Sequence, residues 1–528
     1  MTASQREMLA KERGPGFDRT LSDRVACLIL AVTFALSRAA YYWAGVRFDI
    51  DPLYRFYQFV DPELLRNRLF ETTWYMHTQP PGFNFLAGLL VKLSSDRGTL
   101  TWLYGGLYLA MGLGIALLVY WLQRELGVRP WIALVLSTLF SVAPGTVLHE
   151  NLFLYEYPQL LALLAATVAA IRFFRTGKKG WAVLFFAVVA GLPVFRATYH
   201  LLWAVIAGAV FVFLAWRWGR RSAIRPGTFR FTAVLAALAC LPCLILYAKN
   251  YKLYGQFAGS TWLGEQASTL TVWQLTPEKR EEFIAKGLIS SIGRIPAASP
   301  LADYREFLHP VAATGIPILD QRADSTGRDN LNNLLYLQTG DYYIRDAKTL
   351  LRIYPQCYVK SLAIAWFTYF LPASDFPFFT LNRPKIAGWD RAFNVAIYGQ
   401  WKDASDRKGL RREGMGPGMI LYEATYLMVL LPALFVFGCW EIWRLFCRSG
   451  GNVSSLAGLS FMIFTIATVS FISTALSSFE CNRYRFPLDG FFVVLAGLAA
   501  TRLLGARKNS RSVRTDRSAP PFNGGEVS

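Results

Sequence analysis

VACLILAVTFALSRAAYYWAG, residues 25–45, runs directly into VRFDIDP, residues 46–52. A bilayer core takes about 20 apolar residues in helical form, and the first stretch supplies them with Arg38 as its one formal charge. A polar segment carrying Arg6, Lys11, Arg13, Arg19 and Arg24 precedes it. The run is too long for a signal peptide and lacks a small-residue cleavage site, so it reads as an uncleaved anchor whose N-terminus stays inside. The acids that follow then stand at the opposite membrane face.

Nine further runs repeat the pattern: Leu100 to Leu122, Trp131 to Leu148, Leu160 to Phe174, Trp181 to Phe195, Leu201 to Trp216, Phe231 to Ala248, Ala424 to Trp443, Leu456 to Leu476 and Gly490 to Leu504. The composition agrees: of 528 residues 54% are hydrophobic and 17% charged, with mean hydropathy +0.30. A soluble domain would struggle to stay dissolved with that balance. The expectation is an all-α polytopic membrane protein of about 10 transmembrane helices, with 11 to 13 as the alternative count. Two shorter apolar runs, Phe83 to Leu93 and Leu362 to Leu371, read as helices at the interface.

The formal charge of +20 comes with basic loops, not a nucleic-acid surface. Every second loop is basic: Arg124 and Arg129; Arg172, Arg175, Lys178 and Lys179; Arg217, Arg220, Arg221, Arg225 and Arg230; Arg444 and Arg448; and the tail with Arg507, Lys508, Arg511, Arg514 and Arg517. By the positive-inside rule both termini are cytoplasmic, and no nucleic-acid partner is implied. The divisions are a cytoplasmic segment 1–24, a membrane module 25–248 with a first outer loop 46–99, an outer region 249–423 with interfacial helices, C-terminal helices 424–504, and a disordered basic tail 505–528. Within the outer region Thr276 to Gly287 and Tyr342 to Tyr354 read as helices. Ser290 to Asn330, rich in Pro, Gly and Asp, reads as loop.

The chemistry-bearing residues gather on the outer side. Asp49 and Asp51 open the first outer loop, where neighbouring helices can desolvate a carboxylate into a general base; the plainer reading is an Asp-Pro helix start. Further along, His77, Gln79 and Asn84 flank Pro80-Pro81, against the plainer reading of an interfacial belt with Trp74 and Tyr75. Glu156 precedes Pro158 in apolar surroundings, which demands a cation, a metal or a proton unless it merely faces a helix dipole. Glu150 reads as solvated. Arg196, Tyr199 and His200, then Lys249, then Arg483 and Arg485 stand at the same face, and guanidinium forks suit phosphate oxygens. Snorkelling to lipid phosphates is the plainer reading for each, and the favoured one for Arg38. Cys240 and Cys243 form a CxxC inside an apolar run with no second ligand pair, which argues against zinc. Cys357 and Cys481 fall on one side, as a disulfide or as two thiols.

This arrangement resembles the GT-C superfamily of polyprenyl-phosphate-dependent glycosyltransferases. The likeness rests on Asp49 and Asp51 after the first span, His77 with Pro80-Pro81 before a juxtamembrane helix, Glu156 before Pro158, and Arg483-Tyr484-Arg485, and it is best over the first 200 or so residues. The resemblance implies a GT-C-like bundle in a bacterial inner membrane with an extracytoplasmic active site. It implies sugar transfer with inversion from a polyprenyl-phosphate donor to a glycan, lipid or protein acceptor. Asp49 or Asp51 would be the base, since the usual Asp-Glu pair is here Asp-Ile-Asp. Glu156 would place the acceptor or a metal, and Arg196, Lys249, Arg483 and Arg485 would hold the phosphate, with His77, Gln79 and His200 also toward substrate. A divalent cation such as Mg or Mn, if used, would fall to Asp51 and Glu156. The alternatives are a transporter or flippase of a lipid-linked saccharide, expected to bury its charges mid-span, and a surface-polysaccharide polymerase or ligase.

Overall fold

The computed structural model describes residues 22–218, 227–401, 425–447, 452–477 and 480–516, with side chains through residue 505. The N-terminal basic residues through Arg19, the loop residues Arg220, Arg221 and Arg225, Arg448, positions 402–423 of the outer region and the tail from Arg517 lie outside the described residues.

The first span, α1 (Asp23–Trp43), starts where the Ser22 side chain accepts from the Val25 amide and Asp23 meets the helix dipole. Both of its faces are apolar. Ala26, Leu30 and Phe34 are buried, while Leu28, Val32 and Leu36 are 49–67% exposed along one stripe. A helix apolar all round, with one stripe free of protein, is stable only in lipid. The chain is a multi-pass α-helical membrane protein.

After α1 come four short helices, α2 (Asp51–Arg55), α3 (Pro62–Asn67), α4 (Leu69–Tyr75) and α5 (Gly82–Val91). Then follow α6 (Arg97–Glu125), the pair α7 (Pro130–Val142) and α8 (Pro144–Glu150), α9 (Glu156–Thr176), α10 (Lys179–Phe195), α11 (Leu201–Trp218) and α12 (Thr228–Tyr254). A lobe holds α13 (Leu263–Leu270), α14 (Pro277–Ala285), α15 (Pro317–Asp320), α16 (Leu335–Ile353), α17 (Gln356–Tyr369) and α18 (Ala387–Tyr398). The chain closes with α19 (Leu427–Cys447), α20 (Val453–Leu476) and α21 (Cys481–Asp516).

Eight of these helices are long and apolar enough to cross a membrane, and α7 with α8 makes a ninth if the bent pair counts as one span. The 17-residue α10 reaches about 26 Å at 1.5 Å per residue, slightly short of a typical core. Nine of the ten apolar runs each fall in one of these helices with their ends shifted, as far as the described residues reach, and Trp131 to Leu148 is shared by α7 and α8. The helix at the centre is α9, the most buried of the spans, packed against α6, α10, α20 and α21.

Four details refine the expectations from sequence. Trp131 to Leu148 is not one straight helix: the chain bends by 57° between α7 and α8, because Pro144 has no N–H to continue the ladder. The apolar run Leu362 to Leu371 lies mostly in α17, a 14-residue helix that packs on α20 and α21 along Ser361, Ala365 and Thr368 and leaves Val359 and Trp366 exposed on its other face. Helix α21 continues to Asp516, past residue 505 where order was expected to end. And Ser290–Asn330 carries 3-10 turns at Ser291–Arg294 and Leu301–Phe307, α15, and a backbone bridge between Ala323 and Asp329.

The lobe has its own apolar packing, with Ile292, Tyr304, Tyr336 and Tyr343 in one cluster and Val272, Phe283, Leu350 and Cys357 in another. Helices α13 and α16 meet at two glycines: a Cβ on Gly264 would stand 2.2 Å from the Gly340 carbonyl oxygen. The thiols of Cys357 and Cys481 each hydrogen-bond a backbone carbonyl close by in sequence, Tyr354 and Ser477 respectively.

Candidate functional site

The segment after α1 turns at Gly45 (φ +93°), a conformation glycine adopts without steric cost, and it is then held from three sides. Arg47 exchanges two hydrogen bonds with the Asn382 side chain, its amide donating at 2.9 Å and its carbonyl accepting at 2.7 Å. The Asp49 amide donates to the Asn151 carbonyl, and the Phe153 amide donates to the Asp49 carbonyl, both at 2.9 Å. This short parallel bridge joins the first loop to the connection between α8 and α9. Asp49 is thereby fixed where three distant segments meet.

Its side chain braces the start of the next helix from the residue before the N-cap, Ile50. Oδ1 accepts the Asp51 amide at 2.9 Å, and Oδ2 receives no hydrogen bond from the described residues. The residue is only 7% exposed, and this loss of water pushes its carboxyl up to about 6, against the opposing pull of Arg97, Arg55 and Lys385. Asp51 differs. Its carboxylate is 39% exposed and pairs with Arg97, with Arg55 at 3.9 Å. The two acids of the Asp-x-Asp therefore separate: one buried, partly free and poised near neutrality, the other half-exposed and ion-paired.

Glu156 opens α9 within a closed ionic group. Its Oε1 accepts from Arg196 Nη1 at 3.0 Å and Arg483 Nε at 2.5 Å; Oε2 is buried with no partner among the described residues. Arg483 is consumed on every side, by Glu156, by Glu480 at 2.7 Å, and by Gln58 and the Tyr155 hydroxyl. Arg196 lies between the Tyr155 and Tyr484 rings. Arg485 bonds Asp489 at 2.9 Å and the carbonyls of Tyr369 and Leu371. Both Arg483 and Arg485 are 0% exposed. These guanidiniums, expected to meet phosphate, are spent on holding α9, α10 and α21 together, because a buried charge must find partners inside the protein.

His77, Lys249 and Asn84 are also inward. His77 Nε2 donates to the Asn332 carbonyl at 2.9 Å and Nδ1 accepts from Thr261 at 2.7 Å, which fixes the tautomer. Full burial lowers its imidazole to about 4, so it stays neutral. Lys249 Nζ donates to the carbonyls of Trp74 and Met76 at 2.9 and 2.7 Å. Asn84 donates to the Gln58 carbonyl and accepts the Val60 amide. Both His77 and Lys249 thus tie the first loop to the lobe and to α12. Gln79 is half-buried beside them, and His200 is exposed, its Nδ1 accepting the Leu202 amide at the start of α11.

Two residues given plainer roles are corrected. Glu150 is 3% exposed, not solvated, and Arg38 does not snorkel: the pair is bidentate at 2.9 and 2.6 Å, with the Tyr157 hydroxyl donating to the same carboxylate at 2.7 Å. Gly112 makes room for it, since a Cβ there would lie 2.2 Å from Glu150 Oε2. Conversely, Arg55, Arg97 and Lys385 escaped the sequence reading. Arg55 could have been found from its place one turn after Asp51. Arg97 and Lys385 give no local signal, because Asp49 meets them only through the fold.

The acids suggested for a divalent cation are already neutralised, Asp51 by Arg97 and Arg55 and Glu156 by two arginines, and such donors do not fit a metal. No group of three or more His, Cys, Asp or Glu among the described residues is arranged to hold one. Compared with family models, curated proteins and solved structures, the chain matches none.

Proposed function

We propose that this chain is an integral-membrane glycosyltransferase of the GT-C kind, which transfers a sugar from a polyprenyl-phosphate donor to an acceptor hydroxyl with Asp49 as general base. The carrying observation is the Asp49 carboxylate: buried, raised to about 6, with Oδ2 open and three cations nearby. A base working near neutral pH needs such a pKa, since a lower one binds the proton too weakly and a higher one leaves little ionised form. In this reading the protein works in a bacterial cytoplasmic membrane with both termini inside, and the basic loops support an outer position for this end of the bundle.

In this reading the acceptor oxygen attacks the anomeric carbon while the bond from that carbon to the phosphate oxygen breaks. The electron pair leaves with the phosphate, the acceptor proton passes to Asp49, and the single displacement inverts the anomeric centre. Arg55 and Arg97 pair with Asp51 but remain 79% and 53% exposed along their side chains, so their free N–H groups can meet the departing phosphate, with Lys385 beside them. Arg196, Lys249, Arg483 and Arg485 act indirectly by fixing the segments that carry Asp49. Glu156 serves with them as the anion that balances two buried guanidiniums.

The test is transfer of radiolabelled sugar from polyprenyl-phosphate donors in membranes holding equal folded amounts of each protein. Asp49→Asn should lower transfer by about 10²–10⁴-fold, the usual worth of a general base, and Asp51→Asn by under about tenfold. Full transfer by Asp49→Asn sinks the assignment. One observation favours a second reading, a transporter or flippase of a lipid-linked saccharide: the broken span α7–α8 lies beside the buried Arg38–Glu150 pair. Wild-type protein that moves a lipid-linked saccharide across vesicles without transferring its sugar would establish that reading instead.

A further inference from the structure

The lobe contains a cleft of about 390 Å³, in the size range of small-molecule sites. It is roofed by the extended segment 308–315 and floored by Leu301 and Leu319, both buried. The roof is tied down at both ends. At one end, the His309 amide donates to Gln338 Oε1 at 2.8 Å and its carbonyl accepts from Gln338 Nε2 at 3.0 Å. At the other, Asp320 accepts from the Thr314 amide and hydroxyl and from the Gly315 amide at 2.7 Å. So the cleft does not depend on a floppy loop for its shape.

Its charge is unbalanced. Arg305, Arg322 and the His309 imidazole line it, and none of the three makes an ion pair or side-chain hydrogen bond with the described residues. This contrasts with the interior, where each arginine described above is matched. The acid in the wall, Asp320, is held ionised by its donors at the roof's end and makes no ion pair with either arginine, so the two guanidiniums leave the cleft with an excess of one positive charge. Two free guanidinium forks and an imidazole over an apolar floor suit an anion borne on a body with a nonpolar face.

A series of contacts joins the cleft to the first loop. Arg322 stands at the root of a turn, its carbonyl accepting from Asn330, whose far end rests on the first loop. There Ser325 bonds Asp61, Thr326 bonds the Tyr54 carbonyl, and Arg328 donates to the Phe56 carbonyl at 2.7 Å. Tyr54 belongs to α2, the helix whose first amide Asp49 accepts.

We infer that this cleft is an acceptor subsite that binds an acidic sugar unit, a uronate or a phosphorylated hexose, through Arg305, Arg322 and His309. The choice of a sugar rests on the glycosyltransferase reading; the anion preference rests on the cleft alone. The experiment measures binding by titration calorimetry with the full-length protein in detergent. Its probes are a glucuronate-containing tetrasaccharide, a hexose 6-phosphate, a neutral tetrasaccharide of glucose and inorganic phosphate.

One of the two acidic sugars should bind saturably, more weakly at high salt, and the neutral tetrasaccharide should not. Arg305→Gln with Arg322→Gln should weaken that binding by about tenfold, as expected for two partly exposed charge contacts. Binding of neither acidic sugar, binding unaltered in the double variant, or inorganic phosphate binding as tightly as the acidic sugars would overturn the inference. Because this readout needs no turnover, a wild-type protein that binds the acidic sugar yet transfers nothing would count against the glycosyltransferase reading alone.

Discussion

Asp49 and Glu265 are both buried carboxylates outside the spans, and the difference between them is what each can be expected to do. For a general base, rate depends on the ionised fraction, so transfer should rise tenfold per pH unit up to about pH 6 and level off above it. Arg97 draws the Asp49 carboxyl down against the larger push of desolvation, so Arg97→Gln should move that limb to higher pH; a limb that stays put would separate it from Asp49. Glu265 has one long contact, from Thr339 at 3.3 Å, while its Oε2 is buried without a partner among the described residues. Burial pushes its carboxyl up to about 7 from an ordinary 4.5. The folded state therefore holds this proton more tightly than the unfolded chain, and the stability it lends is complete below about pH 4.5 and lost as pH rises through about 7. The loss is on the order of 3 kcal/mol. Glu265→Gln should remove that dependence, so melting of the purified protein at pH 5 and pH 9 should show the variant gaining on wild type at pH 9. Equal gaps at both pH values would mean that Glu265 is ionised in the fold.

At the scale of elements, the Arg38–Glu150 pair joins α1 to the bent span at α8, and its energetics can be split by mutation. Arg38→Met alone leaves a carboxylate buried with one hydroxyl donor and should cost about 3–5 kcal/mol. Adding Glu150→Met removes the orphaned charge, so the double variant should be more stable than Arg38→Met, as read from thermal melting in detergent. If the double variant is the less stable, Glu150 is satisfied without the guanidinium, by Tyr157 and by water. The same pair shows what sequence could and could not tell. The spans were legible because a run of apolar residues signals lipid regardless of its neighbours, and Asp49 was legible because it follows the first such run. Glu150 was read as solvated because its partner is 112 residues away and lies inside a span, where a cation suggests snorkelling. Arg483 and Arg485 were read as phosphate ligands for the same reason: sequence shows a guanidinium but not whether the fold has already used it. The bend at Pro144 was visible as a proline, yet the apolar run on both sides outweighed it.

For the whole molecule, the central question is how the lobe is kept against the bundle, since Asp49 sits where they meet. One asparagine carries much of that contact. The side-chain oxygen of Asn332 accepts from the His77 amide at 3.0 Å, the Thr78 amide at 3.2 Å and the Thr78 hydroxyl at 3.0 Å, while its carbonyl accepts from His77 Nε2. All of these groups are buried. Lys249 secures the preceding carbonyls of Trp74 and Met76 from α12, so the loop is held from the membrane side as well. Asn332→Ala would strip the acceptor from three buried donors at once, and each unsatisfied donor costs about 1–3 kcal/mol unless water enters. The spans do not depend on that acceptor. Hydrogen exchange should therefore speed up at residues 76–79 and 330–333 while α9 and α20 stay as protected as in wild type, the mark of local opening. Transfer should fall with it, because the hairpin tip from the same lobe segment braces Tyr54 and Asp61 next to the helix whose first amide Asp49 accepts. Faster exchange spread evenly over the spans would instead make Asn332 a support of the whole fold, and unchanged exchange at 76–79 would mean that Lys249 and the Thr261 contact hold the loop without it.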